Sequence, residues 1–212
     1  SLLEIGGDDR FIYTSGGTES NNLAIFGSLR QSVQSKIDQI VEKLGKIPMG
    51  KKLPQGSSYP TNLAQTDDNT NYVIGVHLIT SSVEHHAVLE PLEYVKNHPE
   101  TLISNRYGLN ISLNIVLDEI GVTNQGIINT SQLFARLNYQ PHIADVVNME
   151  KQTSFTPANA TVIDAATFIS VMHANNEVGA IQPLIKIGQA LETFKSQHTD
   201  STVYFHTDAC QS

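Results

Sequence analysis

The chain has 212 residues, 40% of them hydrophobic, so it can bury one large core or two small ones, and its formal charge is −8. That acidity argues against nucleic acid as the main partner, because a phosphate backbone calls for concentrated Lys and Arg. The single cysteine excludes an internal disulfide framework and any multi-cysteine zinc or iron–sulfur site built from this chain alone, and no apolar run approaches the length of a membrane span.

Phe11, Ile12 and Tyr13 read as a short buried strand. Leu23, Phe26, Arg30, Val33, Ile37, Ile40, Val41 and Leu44 then fall on the spacing of one helix face, in a helix that should begin near Thr18. Between the two lies the small-residue turn Tyr13-Thr14-Ser15-Gly16-Gly17-Thr18-Glu19-Ser20-Asn21-Asn22. It is either a plain helix start or an anion cradle. In the second case the first amides of the helix, free of intrahelical acceptors, would meet a phosphate, with Gly16 and Gly17 allowing close approach and Thr18, Ser20 and Asn22 adding donors. The helix should end at Leu44-Gly45, where glycine supplies the left-handed residue.

Lys46 to Asn71 is polar and rich in Pro and Gly, and reads as an exposed insertion. Val73 to Ile79 suits a buried parallel strand, with Glu84-His85-His86 at its exit, the place where open α/β sheets bind ligands. Val88, Leu89, Leu92 and Val95 give a short helix, stopped by Asn97-His98-Pro99, with Pro91 tolerable only near its first turn. By position alone His85 is a cap for that helix, and His86 a neighbour facing solvent or core.

Ile111 to Leu117 alternates as a strand does, Gly121 to Gly126 is a turn, and Thr130 to Leu137 a brief helix. Asn138 to Ala160 reads as a second irregular insertion. Thr167 to Met172 is again a buried strand, followed by Ala174-Asn175-Asn176-Glu177-Val178-Gly179, a turn with Gly179 at positive φ whose paired asparagines a turn alone does not explain. Pro183 stands where a first helical residue would, ahead of a face formed by Leu184, Ile187, Leu191 and Phe194. Thr202 to Phe205 returns as a strand, with Asp208 and Gln211 at its exit. Cys210 between them reads as a small buried packing thiol, and the remaining histidines, His77, His98, His142, His173, His198 and His206, have no metal-ligand spacing.

Four ordered blocks resemble the cysteine desulfurases and selenocysteine lyases, in the class V aminotransferase group of pyridoxal 5'-phosphate (PLP) enzymes. They are Thr14-Ser15-Gly16-Gly17-Thr18-Glu19-Ser20-Asn21-Asn22, Thr80-Ser81-Ser82-Val83-Glu84-His85-His86-Ala87-Val88-Leu89, Ser170-Val171-Met172-His173-Ala174-Asn175-Asn176-Glu177-Val178-Gly179 and Phe205-His206-Thr207-Asp208-Ala209-Cys210-Gln211-Ser212. The resemblance covers the elements bearing these blocks; the stretches 46–71 and 138–160 depart from the family. It implies an α/β fold with a mostly parallel sheet flanked by helices, like part of the large domain of a fold-type I PLP enzyme. It also implies that Gly17 and Thr18 contact the phosphate and that His85 stacks on the pyridine ring and shuttles a proton. Asn176 and Gln211 would reach the phenolic oxygen, and Asp208 would pair with the pyridine nitrogen.

The activity so implied is cysteine desulfuration, L-cysteine to L-alanine with sulfur carried as a persulfide towards iron–sulfur cluster assembly or another sulfur-transfer pathway. The parent would be a homodimer with cysteine or selenocysteine as its small-molecule substrate and a sulfur-acceptor protein as partner, in the cytoplasm or mitochondrion. In the family the Schiff-base lysine lies in a Ser-x-His-Lys motif beyond the Asp-Ala-x-Gln block, as do the persulfide cysteine and the arginine for the substrate carboxylate; no lysine here has that context. With Ser1 in place of Met, the expectation is a partial large domain over 1–212 that binds and tunes the cofactor while the reacting residues lie elsewhere. Selenocysteine lyase and another class V aminotransferase are the alternatives within the fold. A nucleotide-binding module is the alternative outside it, weakened because the Gly16-Gly17 turn has neither a P-loop lysine nor a third glycine.

Overall fold

In a computed structural model of the chain, residues 9–45, 70–104, 107–138, 160–198 and 202–211 are described. They form α1 (Gly17–Lys43), β1 (Asn71–Ser81), α2 (His86–Asn97), a 3-10 turn (Pro99–Leu102), β2 (Asn110–Ile120), α3 (Thr130–Asn138), β3 (Ala160–Ser170), α4 (Leu184–Gln197) and β4 (Val203–His206). Among the described residues the strands make one sheet in the order β2-β1-β3-β4, and every pairing in it is parallel. The α/β architecture expected from the alternation of apolar runs and amphipathic segments is therefore present. Most of both insertions, 46–69 and 139–159, lies outside the described residues. Their expected edges were too wide: Asn71 already opens β1, Asn138 closes α3, and Ala160 opens β3, which starts well before Thr167.

A parallel sheet needs cover on both faces, and its inner strands read as continuous apolar runs. β1 is such a strand. Its Tyr72, Ile74, Val76 and Leu78 pack with Ile25, Leu29, Val33 and Ile37 of α1 and Val88, Leu92 and Val95 of α2, while the adjacent Ile79 joins Ile169, Leu133 of α3 and Ile187, Leu191 and Phe194 of α4 on the other face. The strand period of two sends Leu78 and Ile79 to opposite sides, so two helices cover each face.

Four local expectations are corrected. Phe11, Ile12 and Tyr13 form no strand and are 55%, 65% and 90% exposed, since no described strand offers their backbone a partner; the Phe11 and Tyr13 rings meet edge to face at 4.7 Å. On α1 the inward face begins with Asn21, Ile25 and Leu29 rather than Leu23, Phe26 and Arg30, and only from Val33 onward does it follow the expected positions. Pro91 falls in the second turn of α2, where it lacks the N–H that would reach Ala87, and Pro183 caps α4 instead of opening it. The predicted end of α1 holds, with Gly45 at φ 70.

Candidate functional site

The entry to α1 is built by its own short side chains. Ser15 donates both its backbone N–H and its hydroxyl to Glu19 Oε2, each at 2.6 Å, and these bonds hold the Glu19 carboxyl below its ordinary value. Glu19 is the third residue of the helix, so it reaches back as the acidic half of a capping box does. No side chain caps Gly16, and the first intrahelical bond runs from Ser20 N–H to the Gly16 carbonyl, 3.1 Å. The amides of Gly17, Thr18 and Glu19 therefore face outward at the positive end of a long helix without an acceptor inside it. A Cβ on Gly17 would collide with Cys210 Sγ unless that side chain moved, whereas Gly16 has open space around it and extended backbone. Ser20 and Asn22 are not the extra anion donors expected of them: Ser20 bonds Thr14, and Asn22 bonds the Thr18 carbonyl.

At the exit of β1, Glu84 is 6% exposed and turns inward, accepting from Ser81 Oγ at 2.6 Å and from Met172 N–H at 2.7 Å. The next residue, His85, is exposed and caps α2, its Nδ1 accepting from Ala87 N–H at 3.1 Å. The residue so fixed also lines the cleft, so one side chain both caps α2 and faces that space. His86 is exposed and lies outside the cleft lining.

At the exit of β3 the paired asparagines divide their work. Asn175 is buried; its Oδ1 accepts from Glu177 and Val178 N–H, and its Nδ2 donates to the Val83 carbonyl. Those bonds shape a tight reversal in which Gly179 has φ 70 and the Asn175 N–H reaches Ala180. Asn176 is left exposed at the tip, lining the cleft.

β4 delivers Asp208. Backbone bonds from Val171 to His206 and from His173 to Asp208 carry the β3–β4 pairing past the strand ends. The Asp208 carboxylate is 8% exposed and accepts from Asn21 Nδ2 at 2.9 Å and from Cys210 N–H at 3.0 Å. Burial works against its ionisation, but the Cys210 amide, the Asn21 amide, the Cys210 thiol and the nearby His206 outweigh it and hold the carboxyl below the ordinary aspartate range. The same contact pushes the Cys210 thiol up, through its bond to Asp208 and through burial, and burial lowers His206. Cys210 is exposed at the cleft, not the buried packing thiol expected.

Gly17, Thr18, His85, Asn176, Asp208 and Gln211, expected from four separated motifs, thus all line one cleft of about 190 Å³, together with Asn21 and Cys210. It is polarised: uncapped helix amides on one wall, a buried ionised carboxylate on another. Asn21 stands four residues after Gly17, about 6 Å along the helix, so one turn of α1 links the anion-binding end to the acid. A molecule with a phosphate on a short arm and a protonated ring nitrogen matches this donor set, and the cofactor expected from the motifs is such a molecule. Sequence reasoning missed Asn21 and Glu84. Both lie inside quoted motifs, and each is followed within a turn by residues that were assigned; their burial was the signal, and sequence does not display it.

No protein-family model matches the chain. It is 27% identical over 203 residues to the cysteine desulfurase IscS of Dictyoglomus turgidum, covering 96% of this chain and 30% of that protein. It is 26% identical over 208 residues to the cysteine desulfurase IscS of Methanosarcina thermophila, with 98% and 30% covered. To the selenocysteine lyase of Rattus norvegicus it is 26% identical over 217 residues, with 98% and 35% covered. The chain therefore spans about a third of the length of these relatives. Across nearly all of its own length, it is similar in sequence to cysteine desulfurases and a selenocysteine lyase.

Proposed function

We propose that this chain is the cofactor-binding part of a PLP-dependent cysteine desulfurase, with the Schiff-base lysine and the persulfide cysteine supplied by sequence beyond these residues. The observation that carries the reading is the convergence of Gly17, Thr18, His85, Asn176, Asp208 and Gln211 on one polarised cleft. When bound, PLP supplies an electron-accepting ring that spreads the negative charge left as the substrate loses its α-proton.

The residues of the chain then have distinct tasks. The α1 amides and Thr18 bind the phosphate, and Gly17 leaves room for it. Asp208, kept ionised by Asn21 and the Cys210 amide, holds a proton on the ring nitrogen, which keeps the ring electron-poor. Asn176 and Gln211 offer neutral amides to the phenolic oxygen. His85, fixed by its cap to α2, would stack on the ring and move a proton at the reacting carbon. The homodimer and the sulfur-acceptor protein belong to the same reading.

The test is to titrate the full-length protein with PLP and then supply L-cysteine together with a dithiol reductant, which releases the persulfide sulfur as sulfide. Alanine and sulfide in equal amounts, both lost in Asp208→Ala, are the expected result. A protein that takes up no PLP overturns the reading. The similarity to a selenocysteine lyase makes selenocysteine the second substrate to offer in the same assay.

A further inference from the structure

The exits of β1 and β3 are tied together by side chains running in both directions. The main-chain pairing of these strands stops at Thr80 and Ser170, and beyond it no β1–β3 ladder joins the two loops that carry His85 and Asn176 among the described residues. Glu84, from the β1 side, accepts the Met172 N–H at 2.7 Å; Asn175, from the β3 side, donates to the Val83 carbonyl at 3.1 Å. Each immediately precedes a residue of the cleft, Glu84 before His85 and Asn175 before Asn176. Both are buried, at 6% and 8% exposure, while the residues they precede are exposed.

Glu84 makes its bonds through one oxygen. Oε1 takes both Ser81 and Met172, and Oε2 is buried with no partner among the described residues. A buried carboxylate with a bare oxygen is costly, and burial pushes this carboxyl up to about 7, against the Ser81 and Met172 bonds and with the charge of Asp208 adding to the rise. Oε1 can still accept both bonds with Oε2 protonated.

We propose that Glu84 and Asn175 are positioning residues, a reciprocal latch that fixes His85 and Asn176 relative to each other across the cleft. The latch rests on the PLP reading above and deepens it. Neither residue lines the cleft; each acts through its neighbour in the chain.

The test is the PLP dissociation constant of the full-length protein, measured by titration at pH 8. Asn175→Asp keeps the acceptor for Glu177 and Val178 but removes the donor to Val83; Glu84→Ala removes the other half. Each should weaken PLP binding roughly tenfold or more, the scale expected when a binding group is misplaced. Glu84→Gln keeps the Oε1 acceptor and should bind within about threefold of wild type, and the Glu84→Ala, Asn175→Asp double variant should be little weaker than the weaker single one. Hydrogen exchange at the Met172 amide should quicken in Glu84→Ala and stay slow in Glu84→Gln. Wild-type affinity in Asn175→Asp, or Glu84→Gln as weak as Glu84→Ala, overturns the latch. If Glu84→Ala does not fold, those two outcomes still decide it. A wild-type protein that binds no PLP overturns the functional reading instead, which separates the two failures.

Discussion

Asn21 Nδ2 donates to Asp208 Oδ2 at 2.9 Å, joining the first helix to the carboxylate of the cleft across 187 residues. Leaving a buried acceptor short of a partner costs about 1–3 kcal/mol, and Asn21→Ala should lose stability on that scale. With that donor gone, the Asp208 carboxyl should also rise towards its ordinary value. PLP affinity should fall in consequence, and further in Asn21→Asp, which sets a second carboxylate against the first. Thermal unfolding and PLP titration of the three proteins check this; an Asn21→Asp variant that binds PLP as wild type does would refute the assigned contact.

Gly17 and Cys210 should be energetically coupled. A Cβ on Gly17 would strike Cys210 Sγ but would lie in ordinary contact, 3.9 Å, with Cys210 Cβ. Gly17→Ala should therefore destabilise the protein by about 1–3 kcal/mol, the usual cost of overpacking, and Cys210→Ala in the same chain should recover most of it. Urea unfolding of both singles and the double gives the coupling energy, and additive effects would show that the contact does not limit Gly17.

His85 performs two separable jobs. An asparagine side chain can accept the Ala87 N–H as the imidazole does, but it has no flat ring. His85→Asn should keep the stability of wild type and lose PLP affinity and turnover, whereas His85→Ala should lose both, with about 1 kcal/mol of stability going with the cap. Equal turnover in wild type and His85→Asn would remove the ring from the chemistry.

The acid–base behaviour of Glu84 sets a sign. Its carboxyl titrates near 4.5 when free and at about 7 in the fold, so between these values the folded protein holds a proton that the unfolded chain has lost. Stability from this group is complete below pH 4.5, falls as pH rises towards 7, and is flat above that, a total change of order 3 kcal/mol. Glu84→Gln should remove the slope. The variant should gain on wild type from pH 5 to pH 8, and parallel stability profiles for the two proteins across that range would contradict the assignment.

What the sequence made legible follows from which residues announce their surroundings. The continuous apolar runs of β1 and β3 announced buried parallel strands, and Gly179 announced its positive φ. The inward face of α1 was misread at its start because two of its buried residues are polar: Asn21 faces inward to meet Asp208, and Ser32 to meet the Tyr204 hydroxyl at 3.0 Å. Hydrophobic spacing cannot count such positions, since their partners lie far along the chain. The same limit hid Glu84. Apolarity misled in the opposite direction at Phe11, Ile12 and Tyr13, which are exposed and pair with no described strand. The six cleft residues were legible as motifs, while their common wall depended on strand order, which no single motif carries.

β4 is only four residues long and pairs with β3 alone among the described strands, yet it carries Asp208 to the cleft. During synthesis α1, β1 and β3 emerge first, and the anion-binding helix end and the His85 and Asn176 loops can form while Asp208 is still inside the ribosome. The carboxylate then has to find Asn21 through one of the longest-range contacts in the chain, a closure whose entropic cost places it late on the folding route. On the PLP reading, ligand capture would thus report on the arrival of β4: a nascent protein stopped short of that strand could hold a phosphate weakly, but could not hold the ring.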